Sequence, residues 1–317
     1  MGMPKTLLEA VRHFSNADNC REYLVARRWP NGIACPKCGS TAVYFDKGRN
    51  GWECKTRHPQ RKFTLKTGTI FEDSPIGFDK WLPVVWMIAN SKNGVSSHEI
   101  ARTIGVTQKT AWFMLQRIRL AMQGDDGGKM GGDVEVDETY IGGKARNMHA
   151  SKRAKMATGR WAGKVAVMGL LERKGDKDSR VRTVVVQGAK RSDLLPHVDA
   201  NVARGANVYT DALHSYDALR HDYAHQVIDH AVAYVDGQVH TNGLESYWAI
   251  LKRALRGTYI SVEPFHLFRY LDEQAFRFKE RKLNDAERFE LVVGGVVGRR
   301  LTYEALIGAL NSGNAPE

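Results

Sequence analysis

The sequence predicts an α/β protein: a mixed sheet flanked by helices, preceded by a small metal-pinned pair of hairpins and a helix-turn-helix. Three observations predict it. All four cysteines, Cys20, Cys35, Cys38 and Cys54, lie near the start of the chain. Two helix-period stretches meet at Gly105 within residues 95–122. Beyond a glycine-rich stretch at 124–133, strand-like and helix-like runs alternate, with acids near their ends.

The cysteines come first. Cys35-Pro-Lys-Cys38-Gly39 is a CxxC knuckle that can turn two thiolates toward one tetrahedral ion. Cys54 and His58, with three residues between them, supply the second pair 16 residues after Cys38. The segment between the knuckles, AVYFDKGRNGWEC, reads as a hairpin, and KFTLKTGTIF after them shows strand-like alternation. Two hairpins pinned by a Cys₃His zinc make a zinc ribbon. No βαβ pattern surrounds the CxxC, which argues against a redox motif. Cys20 sits in a helix-like stretch 15 residues upstream of Cys35 and is expected to be a buried thiol. Residues 1–74 are assigned to an N-terminal helix and this ribbon.

Residues 75–123 follow as the helix-turn-helix region. FDKWLPVVWMIAN (78–90) is an apolar-rich helix. Ser96 or Ser97 can cap the next one, Gly105 breaks it, and Thr107 can cap a third. In a helix-turn-helix the early residues of the second helix face the major groove. Here these are Gln108, Lys109, Thr110 and Trp112, with Arg117 and Arg119 expected nearer the phosphates.

The stretch 124–133 holds five glycines in ten residues and is expected to be a linker. Residues 134–290 are expected to form the third domain, with 291–317 a tail. Strands are expected in DVEVDETYIGG, VAVMGLLER (165–173) and VRTVVVQG (181–188), then a helix at 193–204. ANVYTDALHSY and HQVID (225–229) read as strands, HTNGLESYWAILKRALRG (240–257) and residues 264–282 as helices. This order matches a ribonuclease H-like mixed sheet. Asp137 lies on the first strand, Asp211 ends the fourth, and Glu245 stands on the following helix. Carboxylates converging from strand ends and a facing helix repel one another unless a divalent ion lies between them. Hard oxygen ligands select Mg²⁺ or Mn²⁺. Glu135 and Asp137 share a strand face, and Glu138 points the other way. Asn242, one turn before Glu245, offers only a neutral carbonyl, so the carboxylate is preferred. Lys252, seven residues after Glu245, falls on the same helix face and can reach a phosphate. His214, His221, His225, His230 and His240 match no ligand spacing; His240, just before the helix, is the functional candidate among them.

Composition bounds the partners. The 317 residues carry a formal charge of +12, from 47 Lys+Arg and 35 Asp+Glu. Residues 1–123 hold 19 basic and 9 acidic residues, so +10 of that charge precedes the glycine-rich stretch. A basic front on a near-neutral back suits a polyanion-binding module. Residues 139–171 contain seven Lys+Arg and no acid, including SKRAKMATGR, a basic loop able to hold DNA. The longest apolar run falls short of a membrane span, the N-terminus lacks a signal-peptide pattern, and no GxxxxGK[ST] occurs. Secretion, membrane insertion and ATP-driven chemistry are not expected.

Read together, YLVARRWPNGIACPKCGS, FTLKTGTIFEDSP, SSHEIARTIGVTQKTAWFMLQRIR, VEVDETYIGGK, VYTDALHSY and HTNGLESYWAILKR resemble bacterial insertion-sequence transposases with an N-terminal zinc ribbon and a DDE catalytic domain. The stretches run in family order over roughly residues 15–285. The resemblance implies binding to terminal inverted repeats, with metal-dependent cleavage and strand transfer of DNA without ATP. It implies a homo-oligomer pairing two DNA ends, and a bacterial, cytoplasmic, nucleoid-associated protein. It carries the acid triad onto Asp137, Asp211 and Glu245, which would hold Mg²⁺ or Mn²⁺, and the basic helix residue onto Lys252. An element-derived DNA-binding regulator that does not need catalysis is the alternative.

Overall fold

A computed structural model describes residues 3–124, 127–142, 163–173, 179–211, 213–228, 240–260 and 262–308. The chain divides into two compact units, Met1–Gly124 with Leu283–Glu317, and Asp125–Lys282. No helix among the described residues is long and apolar enough to cross a membrane.

In the first unit, α1 (Leu7–Phe14) and α2 (Ala17–Arg28) start at Thr6 and Asn16, whose side chains accept backbone N–H groups of their own first turns. Strands β1 (Val43–Asp46), β2 (Gly51–Cys54) and β3 (Lys62–Phe63) form an antiparallel sheet in that order. Trp52 stacks on Phe63 with ring centroids 6.0 Å apart, and Trp29 meets Trp52 edge-on at 5.3 Å. The strand expected over KFTLKTGTIF ends after Phe63, because its carbonyls are taken elsewhere. The Arg28 guanidinium donates to the carbonyls of Leu65 and Thr67, and Gly68 turns the chain at φ +72°. Helix α3 (Phe78–Asn90) is apolar on nearly every side and runs through the unit's core, burying Trp81, Val85, Trp86 and Ile88. Helices α4 (Ser97–Ile104) and α5 (Gln108–Met122) are the expected pair. Ser96 caps the first, Gly105 closes it at φ +63°, and Thr107 caps the second.

The segment from residue 283 counts with this first unit, so the boundary expected at 290 falls earlier. Helix Asp285–Gly294 opens with a capping box between Asn284 and Glu287. Its Phe289 is fully buried, with ring centroids 5.6 Å from Phe14 and 5.0 Å from Trp86. Within the expected tail, Val292, Val293, Val296, Leu301 and Leu306 are buried, so its described part packs on this unit although Leu291 and Val297 stay exposed.

The second unit is built on β4 (Asp133–Ile141), β5 (Val165–Arg173), β6 (Arg180–Val186), β7 (Asn207–Asp211) and β8 (Ala224–Ile228). The sheet order is β6-β5-β4-β7-β8, antiparallel across the first three strands and parallel from β4 to β8. One face packs Val134, Val136, Met168 and Leu170 against α6 (Arg191–Asn201) and the turn at His214–His221. The other packs Val167, Leu171 and Val181 against α7 (Asn242–Ala254) and α8 (Leu267–Lys279). The glycine-rich stretch is only partly a linker. Met130 is fully buried in the first of these cores, and its backbone exchanges hydrogen bonds with Asn201 and Ala203. Most of the basic loop expected at 139–171, residues 143–162, lies outside the described residues, as does His230.

Candidate functional site

The ribbon knuckles bring their four predicted ligands together. The ligand atoms of Cys35, Cys38, Cys54 and His58 all lie within 4.8 Å of one another. Cys38 Sγ and Cys54 Sγ are 3.7 Å apart, and Cys35 Sγ is 3.4 Å from His58 Nε2. Thiolates about 2.3 Å from a tetrahedral zinc ion stand about 3.8 Å apart, so the spacing fits that ion. His58 Nδ1 is 2.6 Å from the Pro59 carbonyl, which fixes the ring and leaves Nε2 for the metal. Burial raises the Cys54 thiol, but hydrogen bonds with His58, Thr56 and Cys38 prevail and bring it down to about 6, toward the thiolate that zinc binds. Cys20 stays outside the cluster. Its thiol donates to the Phe14 carbonyl at 3.0 Å, and burial pushes it up to about 11.

On α5, Gln108 and Lys109 are exposed, while Thr110 and Trp112 are half-buried. Gln108 Nε2 donates to Ser97 Oγ at 2.8 Å, and Lys109 Nζ stands 4.7 Å over the Tyr303 ring. Arg117 and Arg119 depart from their expected role. They are 3% and 1% exposed. Arg117 lies against the Phe113 ring and donates to the carbonyls of Leu301 and Glu72. Charge suggested phosphate contacts, but these positions fall on the buried face of the helix. Lys109→Ala is expected to weaken DNA binding and to lower its salt slope by about 1. Arg117→Ala should leave that slope alone and cost about 2–4 kcal/mol of stability, because it strands two buried carbonyls. Salt-dependent binding and thermal unfolding of both variants would check this, and the opposite pattern would return Arg117 to the DNA face.

The predicted acids arise from sheet register. Glu135 pairs with Tyr209 across the parallel β4–β7 ladder. The ladder ends there; two residues on, Asp137 lies on the sheet face that carries α7, and the Asp211 carboxylate acts on it. Glu245 and Asn242 are exposed in the first turn of α7, and Lys252 is half-buried two turns later. Trp248, one turn after Glu245, donates its indole N–H to Asp137 Oδ2 at 2.9 Å. Burial, with smaller contributions from the Asp211 and Glu245 carboxylates, pushes Asp137 up to about 6 against the pull of that indole. Asp137 in turn acts on Lys252, whose ammonium burial and Arg256 hold down. The acids thus feel one another, but they are not gathered as the cysteines are. Among the described residues, the zinc cluster is the group of ligands lying within 4.8 Å of one another.

Three features of this site escaped the sequence reading. The first is the Trp248 bond. The second is Gly169, the register partner of Asp137 on β5. A Cβ there would stand 2.6 Å from Trp248 Cζ2 and 2.9 Å from Leu244 Cδ2. A glycine inside an apolar strand was the available signal. Gly169→Ala is expected to cost about 1–3 kcal/mol by overpacking and to displace the indole from Asp137. An unchanged melting transition would show that Trp248 yields freely. The third is Glu138, whose carboxyl is pushed up to about 9, first by burial and then by Asp137 and Asp211. His240, the functional candidate among the histidines, accepts from Arg173 Nη2 through Nδ1 at 2.8 Å.

A pH dependence follows from Asp137. Its folded-state value of about 6 lies above the ordinary 3.8. Its stabilising contribution is thus complete below about pH 4 and is lost as pH rises through 6, by about 3 kcal/mol at most. In metal-free buffer, Asp137→Asn should gain on the wild type in urea denaturation as pH goes from about 4 to 7. A difference that stays flat would refute the shift.

A mixed five-strand sheet in this order, with helices on both faces and a Cys₃His ribbon earlier in the chain, defines a ribonuclease H-like DDE domain preceded by a zinc ribbon. Residues 129–279 match the ISXO2-like transposase domain, and residues 15–56 match the transposase zinc-ribbon domain. The chain belongs to the ISXO2-like transposase family. It is 27% identical over 256 residues to the "Uncharacterized protein in transposable element ISH50" of Halobacterium salinarum, covering 77% of this chain and 85% of that one. It is 30% identical over 121 residues to an "Uncharacterized transposase-like protein" of Haemophilus influenzae, covering 37% of this chain and 98% of that one.

Proposed function

We propose that this protein binds the terminal inverted repeats of an insertion sequence and catalyses metal-dependent strand cleavage and strand transfer. The observation that supports the reading is that Trp248, on the helix bearing Glu245, bonds Asp137, whose carboxyl also feels those of Asp211 and Glu245. A half-buried acid raised first by desolvation and further by two acidic neighbours is a donor set that a divalent cation relieves. Asp137, Asp211 and Glu245 would hold Mg²⁺ or Mn²⁺. Held there, such ions would supply activation of a water or 3′-hydroxyl and charge neutralisation at the scissile phosphate. Trp248 orients Asp137 through one oxygen and leaves the other to the site. Lys252 offers its ammonium to a phosphate near Asp137. The ribbon and the start of α5, through Gln108, Lys109, Thr110 and Trp112, bind the repeat, and a second copy pairs the other end.

The test is a strand cleavage and transfer assay on labelled element ends with Mg²⁺ or Mn²⁺. Metal-dependent nicking at the repeat boundary supports the reading. Tight, specific binding without any cleavage under either metal would leave a DNA-binding regulator instead.

A further inference from the structure

Helix α7 is held to the sheet at two points, and only one involves a predicted catalytic acid. The Trp248–Asp137 bond is the second pin. The first is Glu135, two residues before Asp137 on the same face of β4 and 1% exposed. Its Oε2 accepts the Leu244 backbone N–H at 2.8 Å, inside the first turn of α7. Its Oε1 accepts from Arg173 Nε at 2.7 Å. Arg173 lies over the Tyr209 ring at 4.4 Å and also donates to the carbonyl and Nδ1 of His240. One buried ion pair therefore joins β4, β5, β7 and the residues leading into α7. Gly243 makes room for it, since a Cβ there would stand 2.9 Å from Glu135 Oε2.

The spacing of the pins has a geometric consequence. Glu135 and Asp137 are one pleat apart, about 6.8 Å along a strand. Leu244 and Trp248 are four residues apart, about 6 Å along a helix. The two repeats match, so the helix lies along the strand with Glu245 between its pins. A carboxylate at a helix N-terminus is also favoured by the exposed N–H groups there. Buried ion pairs contribute little net stability, and in some proteins they fix a specific arrangement.

We propose that Glu135 is a positioning residue: paired with Arg173, it pins the first turn of α7 to β4 and so sets where Glu245 stands relative to Asp137. The proposal rests on the catalytic reading above, and its test separates the two. Full-length wild type, Glu135→Gln, Gly243→Ala and Asp137→Ala are compared in three measurements. Hydrogen exchange by mass spectrometry reads the amides of residues 242–247. Calorimetry reads Mn²⁺ binding. The cleavage assay is run as an Mn²⁺ titration at several DNA concentrations.

Glu135→Gln and Gly243→Ala are expected to speed exchange at 242–247 and to weaken Mn²⁺ binding about tenfold, as loss of a group supporting metal ligands does. Cleavage should recover at high Mn²⁺ with an unchanged KM for DNA, whereas Asp137→Ala should not recover. If Glu135→Gln fails to fold, Gly243→Ala, which keeps both charges, carries the test. Unchanged exchange at 242–247, or an unshifted Mn²⁺ titration in a folded variant, overturns the proposal. Wild-type Mn²⁺ binding that ignores Asp137→Ala overturns the catalytic reading instead, while the exchange measurement still decides the anchor.

Discussion

Asp137→Ala, Asp211→Ala and Glu245→Ala are each expected to abolish strand cleavage while leaving binding to the element ends intact. The two effects separate because the acids lie in residues 125–282 and the ribbon and helix-turn-helix in residues 1–124. Divalent ions contribute several kcal/mol of charge stabilisation to phosphoryl transfer, so losing a ligand should cost about a thousandfold or more. Asp137 should be the most sensitive, being half-buried, bonded to Trp248 and raised to about 6. Asp137→Asn is the sharper variant, since an amide carbonyl can still accept the Trp248 indole N–H while the charge is gone. Cleavage rates and electrophoretic mobility shifts of the same preparations decide the matter. An active Glu245→Ala beside a dead Asn242→Ala would move the third ligand to Asn242. Activity in Asp137→Ala would remove the site altogether.

What the sequence disclosed divides by the range of the interaction. Local signals were legible. Caps at Ser96 and Thr107 and the left-handed Gly105 bound α4 and α5, because each acts within a few residues. Period-2 patterning placed β4, a continuous apolar run placed β5, and the CxxC and Cys-x₃-His spacings placed the ribbon ligands. Long-range packing was not legible. Arg117 and Arg119 carry the same charge as phosphate-binding residues, and only their burial on the inner face of α5, with Arg117 donating to the Leu301 and Glu72 carbonyls, shows that they are not on the outer face. Phe289 of helix Asp285–Gly294 enters a core that includes Phe14 and Trp86, which lie more than two hundred residues earlier in the sequence. Met130 looked like part of a linker because glycines surround it, yet its backbone pairs with residues 201 and 203. Glu135 appeared as one acid among four on β4. Its role depends on Arg173 from β5 and on the amide of Leu244, which no spacing within β4 encodes.

Removal of the ribbon metal is expected to unfold that part of the chain and with it the front half's grip on DNA. The ribbon has little else to hold it. Its sheet has strands of four, four and two residues. Its aromatic core is Trp29, Trp52 and Phe63 with Phe45, which remains 39% exposed. Structural zinc contributes about 10–16 kcal/mol of apparent binding free energy in comparable peptide sites, more than so small a core can replace. Cys54→Ser removes a ligand held between Cys38 and His58 and should lose zinc during purification. His58→Ala keeps three thiolates and should retain zinc until challenged by a chelator, then release it faster than the wild type. Cys20→Ser should keep its zinc, since its thiol is committed to the Phe14 carbonyl. Native mass spectrometry counts the metal in each variant, and near-ultraviolet circular dichroism follows the tryptophans during chelation. Equal chelator resistance in His58→Ala and wild type would strike His58 from the ligand set. A chelated chain with an unchanged tryptophan signal and undiminished DNA affinity would show that the ribbon stands without its metal.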